Sequence, residues 1–97
     1  MDITIVLGSR SDMPVAEKAA KILDGFDVNY QIRVASAHRS PKYLEGIVEK
    51  AEDDGCHVYI GMAGVAAALP GVLASMTPKP VIGVPVGSKV PYDSLLS

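Results

Sequence analysis

Short apolar segments alternate along the chain with segments of helical periodicity, and this alternation constrains the fold more than any other feature. Residues 3–7 form a β-branched run that stops at Gly8, as is typical of a strand buried on both faces. Three further apolar runs predict strands at 28–35, 58–62 and 81–84. Apolar residues that recur at helical spacing predict helices at about 12–25, 41–54 and 70–76.

The residues at the helix ends support this assignment. Ser40 followed by Pro41 is a helix cap followed by proline at the first helical position, and Asp12, or else Ser11, is expected to cap the first helix. Gly25 marks the end of that helix. Strands that alternate with helices through short connections make right-handed crossovers. The sequence therefore predicts a doubly wound parallel α/β sheet with strand order 2-1-3-4, ending after its fourth strand.

Length and composition limit the classes of function. A chain of 97 residues, 48% of them hydrophobic and 21% charged, is expected to form one globular domain. Its formal net charge of −2 offers no broad surface for nucleic acid or an anionic membrane, so any anion must be bound locally. The single cysteine, Cys56, excludes an internal disulfide and a multi-cysteine zinc site, and it fits a reducing compartment. The sequence shows neither a signal peptide nor an apolar segment of membrane-spanning length, so we expect a cytoplasmic protein.

Two polar turns follow predicted strands, at the edge of a parallel sheet where ligands bind. The first, residues 8–12, precedes a helix whose free amide groups and dipole attract phosphate, and Ser9 and Ser11 add hydroxyl donors. In the second, residues 36–39, His38 titrates near neutral pH and can move protons, while Arg39 can hold a phosphate. The alternative for the first turn is a capped connection between strand and helix without a ligand. The alternative for the second is that His38 and Arg39 are a solvated pair ahead of a helix.

A third turn, residues 63–71, consists almost entirely of small residues, which let backbone amides approach a flat ring closely. The alternative explanation is tight packing of a helix against the sheet. Cys56 and His57, by contrast, start a strand at its amino end, opposite the predicted site, and we interpret them as structural.

The three turns, in this order and spacing, resemble the PurE-type N5-carboxyaminoimidazole ribonucleotide mutases of purine biosynthesis. The matching segments are GSRSD at 8–12, SAHRSP at 36–41, AGVAAALPG at 63–71 and PVIGVPV at 80–86. The resemblance implies a flavodoxin-like, three-layer αβα fold that assembles as a homo-octamer with sites shared between subunits. It also implies that residues 1–97 are a single domain, incomplete at the C-terminal end, because the family continues with a fifth strand and long helices.

The resemblance further implies that a carboxylate moves from the exocyclic nitrogen to carbon C4 of 5-aminoimidazole ribonucleotide, with neither metal nor organic cofactor. His38 falls on the family's proton-transfer histidine. The remaining site residues are implied to bind the substrate: Ser9, Ser11 and Arg39 near the phosphate, Asp12 at the ribose, Ser36, Ala63 and Gly64 around the base and carboxylate, and Leu69 in the same loop.

One position departs from the family pattern. The family usually has histidine where this chain has Ala68, in the loop that covers the imidazole ring. Two alternatives to the mutase therefore stay open: a direct carboxylase of the same family that uses dissolved carbon dioxide, and a non-catalytic copy that keeps only the ribonucleotide site. The loop sequence favours the mutase over the carboxylase. We expect reduced activity, which Ala68→His raises only together with the C-terminal segment of the family.

Overall fold

The structure, a computed structural model, describes residues 1–37, 39–64 and 68–86. Four strands run through this part of the chain: β1 at Ile3–Leu7, β2 at Tyr30–Val34, β3 at Val58–Ala63 and β4 at Val81–Pro85. They form one sheet in the order β2-β1-β3-β4, and every neighbouring pair is parallel. The predicted parallel sheet and its strand order are therefore confirmed.

Three helices connect the strands: α1 at Met13–Gly25, α2 at Pro41–Asp53 and α3 at Leu69–Met76. All three lie within two residues of their predicted bounds. The second strand is shorter than predicted, because the residues before it belong to the turn that leaves α1: the Val28 amide donates to the Leu23 carbonyl at 3.1 Å. The short helical turn that the sequence allows at 92–97 lies outside the described residues.

The sheet has a hydrophobic core on each face, as a doubly wound fold requires. Successive residues of β1 alternate between them: Ile5 and Leu7 pack with Ala16 of α1, whereas Val6 packs with residues of α2 and α3. Ile5, Val6 and Leu7 are all fully buried. This explains why residues 5–7 of β1 are all apolar instead of alternating polar and apolar.

Helix α3 lies unusually close to the sheet because two facing residues have no side chains. Gly61 of β3 and Gly83 of β4 are partners in the strand register. A Cβ atom on Gly83 would lie 3.1 Å from the Pro70 Cγ atom, and one on Gly61 would lie 3.1 Å from the Leu73 Cδ1 atom. The third turn therefore does serve tight packing of a helix against the sheet.

The ends of α1 and α2 use the same hydrogen-bond pattern with different residues. After α2, Gly55 adopts a left-handed φ of 81°, and the Cys56 amide donates to the Ala51 carbonyl at 2.9 Å. After α1 the left-handed residue is Asp27, with a φ of 56°. Gly25 is indeed the last helical residue, but the conformation that favours glycine falls two positions later.

Candidate functional site

Backbone hydrogen bonds beyond the strand ends bring the polar turns together at the carboxyl edge of the sheet. The Ala35 amide donates to the Leu7 carbonyl at 2.8 Å, and the Gly8 amide donates to the Met62 carbonyl at 2.9 Å. A Cβ atom on Gly8 would lie 3.7 Å from the Ala63 Cβ atom. The first turn therefore contacts the start of the third and lies beside the second.

An open cleft of about 590 Å³ lies between the first and second turns and the start of α2. The predicted site residues Ser9, Ser36 and Arg39 all line it. The sequence places His38 between the last two of these, and this residue lies outside the described part of the chain. The described residues that line the cleft are Gly8, Ser9, Arg10, Val34, Ala35, Ser36, Arg39, Ser40 and Tyr43.

Among the residues with long polar side chains that line the cleft, Arg10 and Tyr43 were not predicted as site residues from the sequence. Arg10 stands between the two serines of the first turn, and its charge could have marked it as a candidate. Tyr43 lies in the first turn of α2, just after the SAHRSP segment, and it is half exposed. Only the packing of α2 beside the first turn brings its ring to the cleft.

The other predicted site residues lie around the cleft and do not line it. Asp12 is buried beneath the first turn, with 6% of its surface exposed, and Leu69 packs in the core on the α2 side. Ala63 and Gly64 lie at the neighbouring strand end, where a Cβ atom on Gly64 would be 3.1 Å from the Val86 carbonyl oxygen. Ser11 contacts Ser9 but not the cleft directly.

The amides of the first turn are largely engaged within the protein, contrary to the expectation that they are free to hold phosphate. Ser9 caps the short 3-10 turn at Arg10–Asp12 that precedes α1: its hydroxyl accepts from the Ser11 amide at 3.2 Å. The Asp12 amide donates to the Ser9 carbonyl at 3.1 Å, and the Met13 amide donates to the Arg10 carbonyl. Asp12 occupies the position before α1 but makes no side-chain hydrogen bond to its amides.

Side chains therefore supply the donors of this cleft. The Ser9 and Ser11 hydroxyls are 2.9 Å apart, so one proton lies between them and the other remains available to a ligand. In the second turn, the Arg39 amide donates to the Ser36 hydroxyl at 3.2 Å and the Ser40 amide to the Ser36 carbonyl at 3.0 Å. The guanidinium groups of Arg10 and Arg39 are the strongest donors in the lining.

The cleft is locally positive although the chain as a whole carries a net charge of −2. Among the lining residues that the structure describes, two are arginines and none is acidic. The nearest predicted carboxylate is Asp12, and burial raises the pKa of its carboxyl group while a backbone hydrogen bond at Ser9 lowers it. The electrostatics of the cleft thus favour an anionic ligand.

Cys56 and His57 lie at the amino end of β3, as predicted. Cys56 is fully buried, with its sulfur 3.3 Å from the Thr4 hydroxyl oxygen, and His57 is exposed beside Asp2. Among residues 1–37, 39–64 and 68–86, no three His, Cys, Asp or Glu side chains are grouped as a metal site would require. In the same part of the chain, no helix combines the length and apolarity needed to span a membrane.

Comparison with known proteins supports the resemblance seen in the turns. Residues 2–97 match the family described as AIR carboxylase. The chain is 53% identical to the N5-carboxyaminoimidazole ribonucleotide mutase of Methanocaldococcus jannaschii, covering 98% of this chain and 59% of that protein. It is 52% identical to the mutase of Pyrococcus abyssi, covering 98% of this chain and 56% of that protein. The chain thus spans somewhat more than half the length of these curated relatives.

The fold is also that of solved structures. The crystal structure of Treponema denticola PurE superimposes with a TM-score of 0.88 at 32% identity, over 98% of this chain and 63% of that chain. A second crystal structure, of a substituted variant of PurE2 from that organism, gives a TM-score of 0.89 at 30% identity, with the same coverage of both chains. The predicted flavodoxin-like fold is therefore confirmed, and the chain belongs to the AIR carboxylase family.

Proposed function

We propose that this chain carries the ribonucleotide site of an N5-carboxyaminoimidazole ribonucleotide mutase of purine biosynthesis. The single observation that carries the proposal is the cleft at the carboxyl edge, which combines Ser9, Ser36, Arg39 and a net positive lining. Relatives of this chain at about 50% identity are named as mutases, which supports the same reaction here. The substrate carries both a phosphate and a carboxylate, and it therefore suits a cleft without acidic residues.

The proposed reaction requires a proton to move while the carboxylate is in transit. The bond between the exocyclic nitrogen and the carboxylate carbon breaks, carbon dioxide leaves, and the nitrogen takes up a proton. Carbon C4 then attacks the carbon dioxide, and loss of the C4 proton restores the aromatic ring. The two proton transfers balance, so one residue that titrates near neutral pH can serve both.

We assign that role to His38. Its neighbours in the chain, Ser36 and Arg39, line the cleft. Arg39 is proposed to hold the phosphate through its planar fork of donors, with Ser9 and Ser11 adding hydroxyl contacts. Asp12 is proposed to bind the ribose. Ser36, together with Ala63, Gly64 and Leu69, is proposed to surround the base and the carboxylate.

The assembly and location of the protein belong to the same proposal. We propose a cytoplasmic homo-octamer in which neighbouring subunits complete each site. Large apolar side chains on the described surface support association: Phe26 is 75% exposed, Ile22 is 63% exposed and Ile82 is 51% exposed. Light scattering tests this part, and a stable monodisperse monomer at micromolar concentration would contradict it.

A non-catalytic copy of the site is the second candidate, and Ala68 favours it. This residue occupies the position before α3, where the family usually has histidine, and it makes no side-chain hydrogen bond to the helix. An alanine there removes a ring from the wall that covers the substrate. If the ring orients the substrate, its loss costs up to about 100-fold in rate.

The test is a mutase assay with His57 as the matched control for His38, because the chain has two histidines. His38→Asn should remove turnover of N5-carboxyaminoimidazole ribonucleotide while changing ribonucleotide affinity by no more than a few fold. His57→Asn, at the opposite end of the sheet, should change neither. Turnover that survives His38→Asn would contradict the assignment. A requirement for bicarbonate would identify the direct carboxylase, and binding without turnover would identify a non-catalytic copy.

A further inference from the structure

The side chain of Arg10 has no role in the fold that the described residues reveal. It projects from the turn between β1 and α1, it is exposed, and it lines the cleft together with Arg39. Within residues 1–37, 39–64 and 68–86, no carboxylate forms an ion pair with either guanidinium group. Two like charges that face one cleft repel each other, and they gain favourable partners only when an anion lies between them.

Arg33 provides an informative contrast on the neighbouring strand. Its Nε atom donates to the Gln31 side-chain oxygen at 3.3 Å, and Gln31 donates in turn to the Thr4 hydroxyl at 3.1 Å. Arg33 is therefore tied to the sheet. Arg33 and Arg10 both line an adjoining cleft, but only Arg10 also lines the cleft that contains Arg39.

Several backbone amides beside the cleft already have acceptors within the protein, and this increases the importance of Arg10 as a donor. The amides of Ser11, Asp12, Arg39 and Ser40 all donate to groups within the protein. These four amides are not available to an anion in this cleft, and only side chains can supply it with charged hydrogen bonds. Arg39 approaches from the second turn, and Arg10 is the one other cation in the described lining.

We propose that Arg10 is a second phosphate-binding residue, which acts with Arg39 and makes the cleft selective for a ribonucleotide over the corresponding ribonucleoside. The inference rests on the proposed function for the identity of the nucleotide, but not for the binding of phosphate. A guanidinium group offers paired donors that match two phosphate oxygens, which lysine does not. Arg10 is a binding and specificity residue, and it takes no part in proton transfer.

The experiment compares Arg10→Gln, Arg10→Lys and Arg33→Gln, using calorimetry with 5-aminoimidazole ribonucleotide, its ribonucleoside and inorganic phosphate. Arg10→Gln should weaken binding of the ribonucleotide and of phosphate by about 10-fold or more, and leave the ribonucleoside unchanged. Arg10→Lys should recover part of the loss. Arg33→Gln should change ribonucleotide affinity by less than about 2-fold, since Arg33 is hydrogen-bonded to Gln31 and does not line this cleft.

Thermal unfolding without ligand gives a second readout. Arg10→Gln should be at least as stable as the wild type, because it removes a repulsive charge, yet it should lose the rise in Tm that phosphate causes. Equal weakening by Arg10→Gln and Arg33→Gln would show only a general effect of charge and would overturn the inference. Unchanged ribonucleotide affinity in Arg10→Gln would overturn it as well.

The outcomes also separate this inference from the proposed function. If phosphate binds in a manner that depends on Arg10 while the aminoimidazole ribonucleotide does not bind, the inference stands and the proposed function fails. If the ribonucleotide binds more tightly than the ribonucleoside but Arg10→Gln does not change its affinity, the inference fails and the proposed function stands. If neither phosphate nor ribonucleotide binds, both are wrong.

Discussion

The phenol of Tyr59 donates a hydrogen bond of 2.7 Å to the Glu52 carboxylate and so joins the centre of the sheet to the outer helix α2. The Tyr59 side chain is fully buried and sits in the core with Leu44 and Val48. Burial, reinforced by the hydrogen bond to Glu52, raises the pKa of Tyr59 well above its ordinary range. This contact holds the phenol in its neutral, donating form.

Removing the hydroxyl group should therefore destabilise the fold. Tyr59→Phe is expected to lower the free energy of unfolding at pH 7 by about 1 to 2 kcal/mol, because Glu52 loses a charge-assisted partner. Above about pH 10 the unfolded tyrosine ionises and the buried one does not, so the wild type loses stability that the variant keeps. Urea unfolding at pH 7 and about pH 10.5 measures both effects. A difference between the two proteins that does not change with pH would contradict the second.

Two glycine-to-alanine changes, one at a facing glycine under α3 and one in the interior of α2, should have opposite effects on stability. Gly83→Ala places a methyl group 3.1 Å from the Pro70 ring and should cost about 1 to 3 kcal/mol. Gly46→Ala, in the interior of α2 with nothing within 4 Å, should instead stabilise by up to about 1 kcal/mol. Thermal unfolding measures both changes. Pro70→Ala combined with Gly83→Ala should recover part of the loss, and a Gly83→Ala protein as stable as wild type would contradict the packing role.

The left-handed residue after α1 offers a stabilising substitution. Asp27 adopts a φ of 56°, which glycine tolerates better than aspartate. Asp27→Gly should therefore raise the free energy of unfolding by about 0.5 to 1 kcal/mol, after the greater flexibility of glycine in the unfolded chain is deducted. Gly25→Ala is the matched control, because Gly25 is helical with nothing within 4 Å, and it should stabilise as well. A lower Tm in Asp27→Gly would contradict this account.

The buried carboxyl group of Asp12 predicts a pH-dependent difference between Asp12→Asn and the wild type. Burial raises the pKa of this group, so the folded state holds the proton more tightly than the unfolded chain. The group therefore contributes stability below its unfolded pKa and loses that contribution as pH rises through the folded pKa. Asp12→Asn should gain stability relative to wild type as the pH rises from about 4, the ordinary pKa of aspartate, towards neutrality.

Urea unfolding across this range measures the effect, with Asp53→Asn as the control because Asp53 is exposed on α2. The control should show no such trend. A relative stability of Asp12→Asn that falls as pH rises would contradict the predicted sign. If Asp12 also binds the ribose, the same variant should bind the ribonucleotide more weakly despite its greater stability, which is the usual trade between function and folding.

The strands and helices could be predicted because each is marked locally, by β-branched runs or by apolar residues at helical spacing. The α3 helix is an example: Leu69 and Pro70 begin it and Met76 ends it, within one residue of expectation. The site was only partly predictable. Arg10 shares a cleft with Arg39 because β1 and β2 pair, and that proximity depends on tertiary structure.

The hydrogen bonds within the turns could not be predicted from the sequence either. Ser9, Ser11 and Asp12 are all common capping residues, and composition alone does not tell which one accepts the hydrogen bond. In the structure Ser9 does so, and the first turn thereby engages the amides that phosphate would otherwise use. The same limit applies to Asp27, where a nearby glycine is the more obvious candidate for a left-handed conformation.

The two facing glycines also matter for any attempt to move residues 63–71 into another protein. Residues 63–71 connect β3 to α3, and Pro70 reaches its position only because Gly61 and Gly83 leave the backbone of the sheet bare. Gly61 precedes residues 63–71 and Gly83 follows them, so a graft of those residues alone would leave both glycines behind. A recipient α/β protein must have glycines at the corresponding positions of two adjacent strands before Pro70 can pack as closely against the sheet as it does here.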